Sequence, residues 1–200
     1  MPPKKGKKGA KGAKLVSGVL DDDKTFVEGS KLPGGKQKTR PDASKQEFNK
    51  QDEDAIAFYS GPGFRDLNKY LRDPDSVKNP RQKAEYDAQA AKISNALNKM
   101  DTFDGTTYRG TSNKARDLYN KGDVVEEKAF TSSSKDKTEA EQFAKWDGAL
   151  IEIKGRNGHA IENYTKFQGQ DEVVFDRNSK FRVTDVDKSS DQYKIFLEEM

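Results

Sequence analysis

The chain has 200 residues and a mass of 22.4 kDa, is 32% hydrophobic and 36% charged, and has a mean hydropathy of −1.07: one ordinary domain, or one domain with a tail. No cysteine and a single histidine, His159, exclude a disulfide scaffold, a thiol nucleophile and cysteine-ligated metals, and disfavour a multi-histidine metal site or a Ser-His-Asp triad. The net charge of +3 is unevenly spread: residues 1–20 hold six lysines and no acid, so the other 180 residues sum to −3.

Residues 1–46 are dominated by Lys, Gly and other polar or turn-forming residues, with Val16, Val19, Leu20, Phe26 and Val27 isolated among them. Such a segment buries too little apolar surface to offset chain entropy, so 1–46 reads as a disordered lysine-rich leader. Its charge suits a solvated or translocation tail, or an electrostatic arm for nucleic acid or an anionic membrane. It has no arginine before Arg40 and only one aromatic, Phe26, so sequence-specific recognition of RNA is not expected. Asp21-Asp22-Asp23 reads as a solvated charge run. No apolar run approaches the length of a transmembrane helix or a secretory signal.

From residue 47 to 200 the texture is that of one folded domain. Ile56, Phe58 and Tyr59 mark a helix that breaks at Gly61-Pro62-Gly63 and resumes through Phe64, Leu67, Tyr70 and Leu71. Pro74 to Pro80 is a loop, and 86–100 is a second amphipathic helix carrying Ala90, Ile93, Ala96, Leu97 and Met100. Short strands are predicted at Thr106–Gly110, Lys128–Ser132, Ala149–Lys154, Glu172–Phe175, Phe181–Val186 and Tyr193–Leu197. Asp136 and Glu139 form a capping-box pattern that opens a short helix with Ala140, Phe143 and Ala144 on one side. Helices first and strands after, without βαβ alternation, imply an α+β fold with a mostly antiparallel sheet. His159, between Gly158 and Ala160, reads as a loop histidine at the surface or in packing, and Trp146 as core.

Three segments put polar groups where strands usually carry apolar ones. Tyr108-Arg109-Gly110 offers a guanidinium fork for phosphate or carboxylate, followed by a residue that lets a flat ligand approach the backbone; it also reads as a surface arginine. Phe130-Thr131-Ser132-Ser133-Ser134 crowds hydroxyls at a strand end, for a ligand or for a helix cap. In Gln170-Asp171-Glu172 the first and last side chains share one face at a strand entrance, as a reactive pair or as a polar edge.

Together, in this order, the segments resemble the Arg–Ser–Glu class of mono-ADP-ribosyltransferases, the group of Rho-modifying exoenzymes and binary actin-modifying toxins. The family pattern is aromatic-Arg, Phe-x-Ser-Thr-Ser and Gln/Glu-x-Glu. The chain carries Ser133 for the usual threonine and has the Gln-x-Glu variant. Upstream, Tyr59, Phe64 and Asn68 match a further family motif, with Phe64 standing where tyrosine is common. The resemblance spans about 55–200. It implies an ADP-ribosyltransferase fold, N-terminal helices packed on a two-sheet β core, with 47–200 as the catalytic domain.

The resemblance further implies NAD as co-substrate and no metal. Glu172 would stabilise the oxocarbenium-like ribose, and Ser132 would fix the Glu172 rotamer. Arg109 would clamp the phosphates, and Gly110 would meet the nicotinamide amide. Asn68 would contact a ribose, with Tyr59 and Phe64 lining the cleft, Phe143 as an aromatic lid, and Ser132 and Ser134 among the NAD-binding residues. Gln170 would address a neutral acceptor (Asn, Gln or Thr) rather than arginine, and Phe167 would recognise the target protein. The partner would be a host protein such as a Rho-type GTPase or actin, reached in the host cytosol after secretion or translocation, with a delivery complex as a further partner. The other readings are a phage-borne transferase acting on bacterial transcription or translation proteins, and a non-catalytic basic nucleic-acid-associated protein.

Overall fold

Asn49 opens the first helix. Its side chain accepts from the backbone N–H groups of Gln51 and Asp52, while the Asp52 carboxylate accepts from the N–H of Asn49, a reciprocal cap. The computed structural model describes residues 15–17, 47–112, 117–144, 147–165 and 171–200. Helices α1 (Lys50–Ser60) and α2 (Phe64–Arg72) flank the Gly-Pro-Gly break, as predicted. Helix α3 (Pro80–Lys99) starts earlier than the predicted residue 86. Asn79 caps it through the N–H of Arg81, and Pro80 occupies a first-turn position where its missing N–H costs nothing. Lys99 Nζ lies 2.7 Å from Asp52 Oδ2, tying the end of α3 to the start of α1 in a largely buried ion pair.

The strands are β1 (Leu15–Ser17), β2 (Thr102–Thr111), β3 (Val124–Glu127), β4 (Thr131–Ser134), β5 (Ala149–Ala160), β6 (Glu172–Phe175), β7 (Ser179–Asp187) and β8 (Tyr193–Glu199), with helix α4 (Lys137–Phe143) between β4 and β5. Their order is β1-β3-β7-β8-β5-β2-β4-β6, with a further pairing between β5 and β6. Strands β5, β2, β4 and β6 thus close on one another, while β5 also carries the sheet on through β8. Among the described strands only β1–β3 and β5–β8 are parallel. The fold is α+β, with helices packed on a mostly antiparallel β core.

Three expectations change in detail. The strand predicted at Lys128–Ser132 begins only at Thr131 and runs to Ser134, because Asn68 engages both the N–H and the carbonyl of Phe130 and keeps them out of a ladder; β3, just before it, was not predicted. The strand predicted at Ala149–Lys154 extends to Ala160, since β2 begins at Thr102 and Thr102 pairs with His159. His159 is therefore a buried strand residue rather than a loop residue. Within the leader read as disordered, Leu15–Ser17 is a strand in parallel register with Val124–Glu126.

Two cores meet at β6. Val174 packs with Phe130 and Ile161 against Ile56, Leu67 and Ile93 of the helices. Val173 and Phe175 face the other way, onto Ile151, Ile153, Phe181 and Ile195. The apolar run Val173-Val174-Phe175 serves both sides, and it fixes Glu172 at the head of the strand.

Candidate active site

The residues singled out in sequence converge where β4 and β6 meet the helices. Ser134 stands directly opposite Glu172, and Ser132 opposite Val174. Ser132, Ser134 and Glu172 therefore share one face, with Ser132 diagonal to Glu172. The Tyr59 hydroxyl reaches from α1 to within 2.8 Å of Ser132 Oγ. Burial and then the Glu172 charge push the Tyr59 phenol well above its ordinary pKa, against hydrogen bonds with Ser132 and Asn68 and the charge of Arg109. Glu172, Ser132, Asn68 and Arg109 all lie within electrostatic or hydrogen-bonding reach of the Tyr59 hydroxyl.

Arg109 is buried, and its Nη1 donates to the Ser132 carbonyl at 2.6 Å. Strands β2 and β4 share one pairing, Tyr108 with Ser134, so Arg109 braces them where their ladder ends. The three serines have separate tasks. Ser132 meets Tyr59; Ser133 donates to the Val173 carbonyl; Ser134 donates to Glu139 Oε2 at 2.6 Å and accepts from the N–H of Asp136. Ser134, expected from sequence among the NAD-binding residues, is engaged in starting α4. Glu139 bonds Ser134 instead of closing a reciprocal box, and Asp136 alone caps α4 through the N–H of Thr138.

Asn68 Nδ2 donates to the Phe130 carbonyl and its Oδ1 accepts from the Phe130 N–H, both at 3.2 Å. Its bonded role is to anchor the approach to β4. Phe64 begins α2 and is buried, 6.1 Å ring to ring from Tyr59, and Tyr59 makes an edge contact with Phe130. Gly110 is covered rather than open: a Cβ there would collide with the Ala140 carbonyl and the Ala144 nitrogen. The space its missing side chain leaves is taken by α4, whose last residue is Phe143. Gln170, Phe167 and Trp146 lie outside the described residues.

A family model described as ADP-ribosyltransferase exoenzyme matches residues 35–200. The chain belongs to the ADP-ribosyltransferase exoenzyme family. Vis of Vibrio splendidus (strain 12B01), named for NAD(+)–arginine ADP-ribosyltransferase activity, is 31% identical over 159 residues, 74% of this chain and 64% of Vis. Mav of Mycobacterium avium (strain 104), named for the same activity, is 34% identical over 131 residues, 64% of this chain and 15% of Mav. The chain thus spans under two thirds of the length of these relatives. The crystal structure of Vis with agmatine superposes with a TM-score of 0.67 at 28% identity, covering 76% of this chain and 75% of that one.

In this ADP-ribosyltransferase exoenzyme, sequence reasoning missed several buried groups around Arg109. The Tyr119 phenol is pushed far up by burial and then by Glu127, against the charges of Arg109 and Arg72. The buried Tyr119 phenol thus lies within electrostatic reach of the buried Glu127 and Arg109 and of the half-buried Arg72. Strand alternation was the available signal, since Val125 and Glu127 occupy the two buried positions of β3. Lys135, the residue after Ser134, was also missed; its Nζ lies 2.8 Å from Glu162 Oε1.

His159 lines a polar cavity of about 240 Å³ with Asp101, Thr102, Asn157 and Asp176, at the opposite end of β2 from Arg109. Among the described residues no group of three or more His, Cys, Asp or Glu is arranged to hold a metal, and no helix is long and apolar enough to cross a membrane.

Proposed function

We propose that the chain is an NAD-dependent mono-ADP-ribosyltransferase of the toxin type, of the Arg–Ser–Glu class in its Gln-x-Glu variant. The observation that carries the reading is the gathering of Tyr59, Ser132, Arg109 and Glu172 about one buried hydroxyl pair. The donor set suits NAD: a guanidinium for the pyrophosphate, and a carboxylate for the ribose that becomes cationic as nicotinamide leaves.

In the reaction, the bond between ribose C1′ and the nicotinamide nitrogen breaks and its electron pair stays on nicotinamide. Glu172 stabilises the oxocarbenium-like carbon and holds the 2′-hydroxyl. The acceptor's lone pair then forms the new bond to C1′, and the acceptor gives up a proton. Ser132, steadied by Tyr59, supports Glu172. Arg109 holds the phosphates with Gly110 beside it, and Asn68, Phe64, Ser134 and Phe143 shape the surrounding walls. No metal takes part.

Gln170 favours a neutral acceptor, Asn, Gln or Thr, because an amide can pair with a neutral nitrogen or hydroxyl whereas a guanidinium benefits from a second carboxylate. An arginine acceptor is the second reading, favoured by the names of Vis and Mav and by the agmatine complex of Vis. Phe167 serves target recognition. The target is a host protein such as a Rho-type GTPase or actin, met in the host cytosol after secretion or translocation. The catalytic domain is 47–200, and residues 1–46 are a leader in which Leu15–Ser17 adds an edge strand beside β3.

Incubation with biotin-labelled NAD and a eukaryotic lysate tests this. Nicotinamide release and a labelled protein band are expected, and the absence of both would sink the reading. Mass spectrometry of the labelled side chain, for the wild type and for Gln170→Glu, separates the acceptor classes. Modified arginine in the wild type overturns the neutral-acceptor assignment.

A further inference from the structure

The 11 residues 161–171 link β5 to β6 and lead directly into Glu172. Their base is closed by the Ile161 N–H donating to the Glu172 carbonyl at 3.0 Å. A third strand takes part as well. The backbone N–H of Lys135, just beyond β4, donates to the Asp171 carbonyl at 2.8 Å. Its side chain reaches Glu162 Oε1 at 2.8 Å and Asp171 Oδ1 at 3.8 Å, with Nζ 5.8 Å from the centre of the Phe103 ring. One residue thus grips the link near both ends.

We infer that Lys135 is a positioning residue that fixes both ends of the 161–171 link and thereby the acceptor side of Glu172. The inference rests on the reading of Glu172 given above. The physical case is one of burial and connectivity. The Lys135 side chain is 16% exposed and the Glu162 side chain 25%, so the pair is shielded in a way a surface ion pair is not. A lysine spent on solubility would point to water; this one joins two carboxylates nine positions apart in sequence and lies against an aromatic ring. Tyr164, within the link, packs on Phe48 at 4.6 Å between ring centres, so the start of the link is also held from the helical side.

Holding the link matters most when a large acceptor must be aligned with the ribose carbon, and much less when water attacks it. Loss of the clamp is therefore expected to separate two reactions of the same site. In Lys135→Met, labelling of lysate proteins by biotin-NAD falls at least about tenfold, while nicotinamide release without lysate stays within about threefold of wild type. Lys135→Arg, which keeps a cation able to bridge two carboxylates, restores more than about half of the labelling.

All variants are made in the full chain and matched by thermal unfolding. If Lys135→Met does not fold, Glu162→Gln, which removes one anchor and keeps its shape, carries the same test. Equal loss of labelling and nicotinamide release, or labelling at the wild-type level, overturns the inference while leaving the reading of Glu172 in place. A wild-type chain that releases no nicotinamide overturns both.

Discussion

Tyr59 Oη and Ser132 Oγ lie 2.8 Å apart, joining α1 to β4 across 73 positions of sequence. The Ser132 hydroxyl, diagonal to Glu172, is therefore held from the helical layer. Removing one partner of a buried pair leaves the other unpaired, which costs about 1–3 kcal/mol. Tyr59→Phe is expected to lose stability on that scale in urea unfolding and to lower the kcat of NAD hydrolysis several-fold. An unchanged kcat would detach Tyr59 from the reaction and leave it a packing residue.

Glu172→Gln keeps the shape of the side chain and removes its charge. Interactions made mainly in the transition state act on kcat, so turnover should fall by about two orders of magnitude or more with little change in NAD affinity. Isothermal titration with NAD and a nicotinamide-release assay on one preparation measure both quantities. Retention of more than about a tenth of wild-type turnover would remove Glu172 from the charge-stabilising role.

Asn68 spends its amide on the backbone of Phe130. Asn68→Ala leaves a buried N–H and a buried carbonyl without those partners, and a loss of about 2 kcal/mol or more is expected. Because Phe130 leads into β4, the loss of stability should come with weaker NAD binding. A variant as stable as wild type would show that the Phe130 backbone finds other partners.

The Asp52–Lys99 pair gives a pH signature. Burial opposes ionisation of Asp52, but the hydrogen bond from Lys99, the Asn49 N–H and the Lys99 charge outweigh it and hold the carboxyl below its ordinary value. A carboxyl depressed in the folded state contributes stability that is fully present above its unfolded pKa of about 4 and is lost as pH falls through the folded value. Lys99→Met should therefore destabilise the protein at pH 7 and flatten the fall of stability below about pH 4. Urea unfolding of wild type and variant from pH 7 to 3 checks this, and parallel curves would count against it.

The helices, the Gly-Pro-Gly break and most strands were legible because periodicity and punctuation are local. Arg109, Ser132 and Glu172 stood out because each is a polar residue in a β context. Ser134, Asn68 and Gly110 were read as facing a ligand, but Ser134 and Asn68 bond protein groups and Gly110 is covered by α4. Nothing local distinguishes a hydroxyl meant for a ligand from one meant for a helix N–H; that is decided by where α4 docks. Glu127 was passed over because the strand was placed at Lys128–Ser132, so its alternation with Val125 went unread, and Lys135 because a charged residue in a polar sequence carries no mark of burial. Their places depend on strands distant in the chain.

Strand β8, the latest in sequence of the described strands, lies between β5 and β7, in the interior of the sheet. Its register pairs Ile195 with Ile151 on one side and with Val186 on the other. A chain emerging from a ribosome, or threaded N-terminus first through a narrow passage, therefore lacks a central strand until residues 193–199 are free. Non-local pairings of this kind form late and slowly. Until then β5, which pairs with the site-bearing strands β2 and β6, has an open edge, and β7, β3 and β1 cannot join it. Catalytic competence should therefore appear all at once with the arrival of the last strand, and a chain halted a few residues short would be inert.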